Sequence, residues 1–143
     1  MNVASTAAFQ PGPTMAVYYA TKAYVLHFSE ASNNELGEQG VTVTALCPGA
    51  TESGFQAAAA MEDSALVKGK KLPRAKEVAE YGYSAMMKGW SVAIHGLRNY
   101  VLANSVRFLP RNWVVKIARS VDRKSGSAGM PRPLEGSRMP SSA

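Results

Sequence analysis

A chain of 143 residues with 46% hydrophobic and 18% charged side chains has the length and balance of one small globular domain. It is too short for both mononucleotide-binding halves of a complete dinucleotide fold. No run of about eighteen apolar residues exists and no basic-then-apolar leader opens the sequence, which excludes a helical membrane span and leads us to expect a cytoplasmic protein. The single cysteine, Cys47, excludes an internal disulfide, and the net charge is +6.

In chain order, residues 1–4 read as the end of a strand, and Ser5 opens a loop of small residues that runs to Phe9. A helix is expected over about residues 15–37. The β-branched run 41–47 follows as a strand that stops at Pro48-Gly49. Strand, loop, helix and strand make a βαβ unit, so its strands should be parallel with a right-handed crossover. Ser5 and Pro48-Gly49 then both fall at carboxyl ends of strands, the edge where open α/β sheets bind ligands.

Residues 50–71 lack a clear period, apart from a short helix expected around 57–61. Phe55, Met61, Leu66 and Leu72 either offer a ligand an apolar wall or pack on the helix behind them. Pro73 precedes a helix over 74–88, with Val78, Ala79, Tyr83, Met86 and Met87 as its expected buried stripe and Gly89 as its stop. Residues 90–96 fit a last strand. Between Arg98 and Lys124 stand seven basic residues and one acid, Asp122. Trp113, Val114, Ile117 and Val121 recur there at helical spacing among Arg111, Lys116, Arg119 and Arg123. Two readings of residues 111–124 stay open: a helix docked on its own protein, or a basic amphipathic helix lying on an anionic membrane surface. No aromatic platform accompanies the charge, so nucleic acid is not expected as a partner. Residues 125–143, rich in serine, glycine and proline, are expected to be a disordered tail to a domain of residues 1–124.

The candidate chemistry begins with Tyr18 and Lys22, four residues apart and so on one face of the expected helix. A cation about 6 to 7 Å from a phenol favours its charged form by about 2.5 kcal/mol at an effective dielectric of ~20, which makes the phenol a better proton donor and acceptor near neutrality. Ser5, thirteen residues before Tyr18, could hold a substrate oxygen against the phenol. With six tyrosines in the chain, the pair alone would be a weak signal. His27 and His95 have no cysteine or carboxylate partners at metal-ligand spacing, so no metal is expected. Cys47, just before Pro48, reads as a small buried hydrophobe.

Three ordered motifs carry a resemblance. Asn2-Val3-Ala4-Ser5, then Tyr18-Tyr19-Ala20-Thr21-Lys22-Ala23, then Cys47-Pro48-Gly49-Ala50-Thr51-Glu52-Ser53-Gly54-Phe55 together resemble the short-chain dehydrogenases and reductases over about residues 1–124. The resemblance implies a fold: the C-terminal portion of a doubly wound parallel, Rossmann-like α/β sheet, with three strands, flanking helices and C-terminal helices. It also implies an activity, the interconversion of a hydroxyl and a carbonyl with NAD or NADP. In such enzymes a tyrosine in the place of Tyr18 exchanges a proton with the substrate oxygen. A lysine in the place of Lys22 binds the nicotinamide ribose, and a serine matching Ser5 bonds the substrate oxygen. Pro48 and Gly49 match the turn lining the nicotinamide pocket, and Thr51 and Ser53 match positions that meet the carboxamide. The stretch after Gly49 covers the substrate in this family.

The family's glycine-rich turn, Asn-Asn-Ala-Gly segment and relay asparagine have no counterpart in this sequence. The expectation is therefore a reductase half without its cofactor-binding part, prone to self-association through an open strand edge. The alternative of a different class is a catalytically silent remnant that acts, if at all, as an association or membrane-surface module. The expected partners of the enzyme reading are an apolar alcohol or ketone and further copies of the chain.

Overall fold

The computed structural model describes residues 1–52 and 72–124, with side chains described as far as Ser120. Three parallel strands, β1 (Asn2–Val3), β2 (Ala45–Cys47) and β3 (Val92–Ile94), form one sheet in that order. The register sets Val3 beside Leu46 and Leu46 beside Ala93. Helix α1 (Ala16–Gly37) connects β1 to β2, and α2 (Ala75–Met87) precedes β3. After β3 come α3 (Leu97–Ser105), a short 3-10 turn (Val106–Phe108) and α4 (Arg111–Lys124).

Both faces of the sheet are covered, as parallel sheets require. Alternation along β2 sends Ala45 and Cys47 to one face and Leu46 to the other. Ala45, Cys47 and Ile94 pack with Leu26 of α1 and Ala103 of α3. On the opposite face Leu46 and Ala93 pack with Val78 and Ala85 of α2, and Tyr81 closes that layer. β2, central and buried at all three residues, is the spine of the domain.

The expected strand over 41–47 is shorter than its β-branched composition suggests. Val41 is exposed, and the Val43 amide donates to the Asn33 side chain at 2.8 Å instead of to a strand. Pairing begins only where Thr44 accepts from the Asn2 amide.

Of the expected stripe of α2, Val78 is buried and Met86 half-buried, but Ala79, Tyr83 and Met87 are exposed, and Gly82 and Ala85 join Val78 on the sheet side. Gly82 explains the difference: a Cβ there would stand 2.6 Å from Leu46 Cδ2, so the helix approaches β2 through its smallest residue.

Helix α3 has no sequence-level expectation of its own. Gly96 precedes it with φ 88°, a left-handed conformation natural to glycine, and supplies no side-chain cap. On α4 the docked stripe is Val114 and Ala118, whereas Trp113 and Ile117 are exposed. Ser53, Phe55, Met61 and Leu66, the expected short helix at 57–61 and the expected disordered tail at 125–143 lie outside the described residues.

Candidate functional site

Ser5 stands just past the carboxyl end of β1 as the cap of a 3-10 turn (Thr6–Phe9), its Oγ accepting from the Ala7 amide at 3.1 Å. The same hydroxyl reaches the Pro48 carbonyl at 3.5 Å, a contact long enough to leave its hydrogen free to turn toward a ligand. The two strand ends are tied more firmly by the backbone, Thr6 N donating to Pro48 O at 2.9 Å.

Tyr18 lies in the first turn of α1. The loop before that helix is tightly folded. Thr14 takes φ 74°, and the Tyr19 ring lies so close to Gly12 that no side chain would fit there. Tyr18 meets Tyr19 edge to face with ring centroids 5.9 Å apart. One turn later Lys22 places its Nζ 5.9 Å from the Tyr18 ring centroid and donates to the Val3 carbonyl at 3.1 Å. The i, i+4 spacing thus brings phenol and ammonium to one face of α1.

Ser5, Tyr18, Lys22, Pro48, Gly49 and Thr51 all line one open cleft of about 820 Å³. Thr51 Oγ1 donates to the Gly49 carbonyl at 3.0 Å. The Glu52 amide donates to Pro73 O at 2.9 Å, and Thr51, Leu72 and Pro73 beside this bond line the cleft. Leu72, one of the four residues for which an apolar wall and packing on the helix behind were both open, is among the lining residues, and Leu102, Val106, Leu109 and Ile117 line the cleft from α3 to α4.

Among the further polar residues of the cleft, Arg98 and Asn99 carry no motif that marks them in the sequence as site residues. Asn99 Nδ2 donates to the His95 carbonyl at 2.8 Å, and the same amide occupies the space that a side chain on Gly49 would need. The signal for them was Gly96, which ends the strand and starts a helix at the ligand-facing edge.

Cys47 is fully buried, and that burial pushes its thiol up to about 12. The thiol belongs to the core and is not poised as a thiolate nucleophile. His27 sits 3.4 Å from Glu30, and His95 packs edge to face on Tyr81. Among the described residues no three His, Cys, Asp or Glu side chains cluster as metal ligands, and no helix is long and apolar enough to cross a membrane.

A parallel sheet with helices on both faces, and a cleft at the carboxyl ends of its strands, places the chain among Rossmann-like α/β proteins. The family model described as short chain dehydrogenase matches residues 1–64, a little under half of the chain. The chain is 47% identical over 53 residues to a Streptomyces virginiae protein described as a ketoacyl reductase of the monensin polyketide synthase, a match covering 37% of this chain and 20% of that one. An uncharacterised oxidoreductase of Staphylococcus epidermidis is 40% identical over 53 residues, covering 37% and 23%.

Among solved structures, the bulky-bulky ketone specific alcohol dehydrogenase of Comamonas testosteroni is similar with TM-score 0.53 and 25% identity, over 75% of this chain and 39% of that one. A short-chain dehydrogenase of Sphingobium yanoikuyae, in complex with NADPH, shares the fold with TM-score 0.61 and 22% identity, over 96% and 47%. The chain thus spans less than half the length of each of these four proteins.

Proposed function

We propose that this chain supplies the proton-transfer and substrate-facing part of an NAD- or NADP-dependent oxidoreductase that interconverts a hydroxyl and a carbonyl. The observation that carries this reading is the convergence of Ser5, Tyr18 and Lys22 on one cleft, with Pro48, Gly49 and Thr51 on its rim. The donor set suits a nicotinamide riboside. Lys22 offers an ammonium for ribose hydroxyls, Thr51 offers its backbone to the carboxamide, and Ser53 is proposed to add a hydroxyl there. A nicotinamide held there supplies or accepts the hydride.

The chain's own residues manage the oxygen. Ser5 holds the substrate oxygen by a hydrogen bond, and Tyr18 gives it a proton on carbonyl reduction or takes one on alcohol oxidation. Lys22 holds the ribose and keeps a positive charge beside the phenol, so Tyr18 and Lys22 both contribute to the cofactor side. The apolar wall of Leu102, Val106, Leu109 and Ile117 supports an apolar alcohol or ketone as substrate.

Titration of the purified chain with NADH and NADPH, read by nicotinamide fluorescence, tests the reading. A saturable signal weakened by Lys22→Ala is expected. Absence of binding at millimolar cofactor defeats the enzyme reading for this chain and leaves the silent remnant.

A further inference from the structure

Helix α4 and the turn before it display large apolar side chains that no described residue covers. Phe108 is 88% exposed, Trp113 62% and Ile117 49%, while Val114 and Ala118 alone among its described side chains are buried. Trp113 and Ile117 are one turn apart on the same flank. Single exposed hydrophobes are ordinary on a protein surface, but an aromatic and aliphatic group of this size marks a contact.

The charge around the group is of one sign. Arg107, Arg111, Lys116 and Arg119 are interleaved with it, and the sequence holds no acid between Glu80 and Asp122. None of these four cations is ion-paired among the described residues.

We propose that residues 106–120 form a docking face for an anionic membrane surface. Phe108, Trp113 and Ile117 enter the boundary between headgroups and acyl chains, while the four cations lie at the level of the lipid phosphates. Charge alone would suit any polyanion. The aromatic and aliphatic bulk selects a bilayer, because phosphates and acidic peptides offer it no apolar phase. Leu109 and Ile117 also line the cleft, so its apolar wall continues into the docked face and a substrate dissolved in the bilayer has a dry route to Tyr18. The docking itself does not depend on the oxidoreductase reading.

The test is flotation of the whole chain with vesicles of phosphatidylcholine plus phosphatidylserine, and with vesicles of phosphatidylcholine alone. Wild type is expected to float with the mixed vesicles only. Lys116→Gln and Arg119→Gln should each lower the partition coefficient about fivefold. Trp113→Ala should lower it roughly tenfold through lost apolar contact. Phe108→Ser, at the most exposed of these positions, gives a second apolar variant, and unchanged far-ultraviolet circular dichroism establishes that each variant is folded.

No flotation, equal flotation on neutral vesicles, or indifference to all four substitutions in folded protein overturns the proposal. So does sedimentation showing a dimer that Trp113→Ala dissolves while vesicles capture nothing, since a second copy then covers the face. Flotation needs no cofactor and the nicotinamide titration needs no lipid, so the two readings fail separately.

Discussion

Lys22 Nζ donates to the carbonyl of Val3 at 3.1 Å, linking the helix that carries Tyr18 to the outer edge of β1. The Asn2 and Ala4 amides turn toward β2, so the Val3 carbonyl between them faces away from the sheet, and the ammonium satisfies it. One side chain therefore braces the strand that leads to Ser5 and stands beside the Tyr18 ring.

This double engagement separates two substitutions. Under the proposed function, Tyr18→Phe removes only the transferable proton, so turnover should be abolished with affinity for NADH or NADPH nearly unchanged. Lys22→Ala should weaken cofactor binding as well, and cost about 0.5 to 1.5 kcal/mol of stability through the lost bond to Val3. Fluorescence titration and denaturant melts of both variants check this. Equal loss of cofactor affinity in the two would contradict the assigned roles.

Gly49 is expected to tolerate no side chain while Asn99 is present. A Cβ would lie 2.5 Å from Asn99 Nδ2, and that amide is held by the His95 carbonyl. Gly49→Ala should cost roughly 1 to 3 kcal/mol. Combining it with Asn99→Ala should recover part of the loss, because the obstruction is removed. A double-mutant cycle measures the coupling, and strictly additive effects would show that the two residues do not compete for the same space.

At Gly82 two effects oppose each other. Replacing a mid-helix glycine by alanine ordinarily gains about 0.5 to 1 kcal/mol. Here the new methyl meets Leu46 Cδ2 at 2.6 Å across the α2–β2 contact. The overlap should win, giving a net loss of roughly 1 to 2 kcal/mol. Pairing Gly82→Ala with Leu46→Val should show a smaller additional loss than Leu46→Val predicts alone. A Gly82→Ala protein more stable than wild type in urea would mean that α2 stands off the sheet.

The same glycine shows what the sequence left obscure. Hydrophobicity chose Ala79, Tyr83 and Met87 for the inner face of α2, yet close approach to β2 rewards the smallest residue, which pattern reading scores as a breaker. α3 escaped because Gly96 begins it without a capping side chain. The segment 41–44 looked like a strand by composition, but its backbone found a side-chain acceptor in Asn33. The positions of Tyr18, Lys22, Ser5 and Gly49 on one cleft were legible because helical spacing and the ends of parallel strands fix position without any knowledge of packing. Asn99 depends on a contact fifty residues distant in sequence from Gly49, and only the folded chain displays it.

Cys47 gives a pH dependence with a definite sign. Its burial raises the thiol from an ordinary value of 9.0 to about 12, so between those values the unfolded chain releases a proton that the folded chain keeps. Stability from the neutral thiol is fully present below the lower value and is lost as pH rises through the window. The loss should be on the order of 2 kcal/mol half way through it. Urea melts across alkaline pH should therefore fall less steeply for Cys47→Ala than for wild type. Parallel slopes would show that other titrating groups account for the whole alkaline loss.

Self-association is expected through α1. Val17, Tyr24 and Phe28 are 78%, 68% and 52% exposed. Their seven- and four-residue separations bring them onto one stripe, and Tyr24 stacks on Phe28 with centroids 5.8 Å apart. A helix facing only water has no use for such a stripe, whereas a second copy presenting the same face could bury it symmetrically. Fully burying one such side chain contributes about 1.5 to 3 kcal/mol. Phe28→Glu puts like charges across a two-fold contact and should shift the chain toward monomer by at least tenfold in dissociation constant, as read by sedimentation equilibrium. Trp113→Ala, on a different surface, should leave that constant unchanged. If Phe28→Glu sediments as wild type does, any association runs instead through the outer edge of β1, where Val3 is exposed.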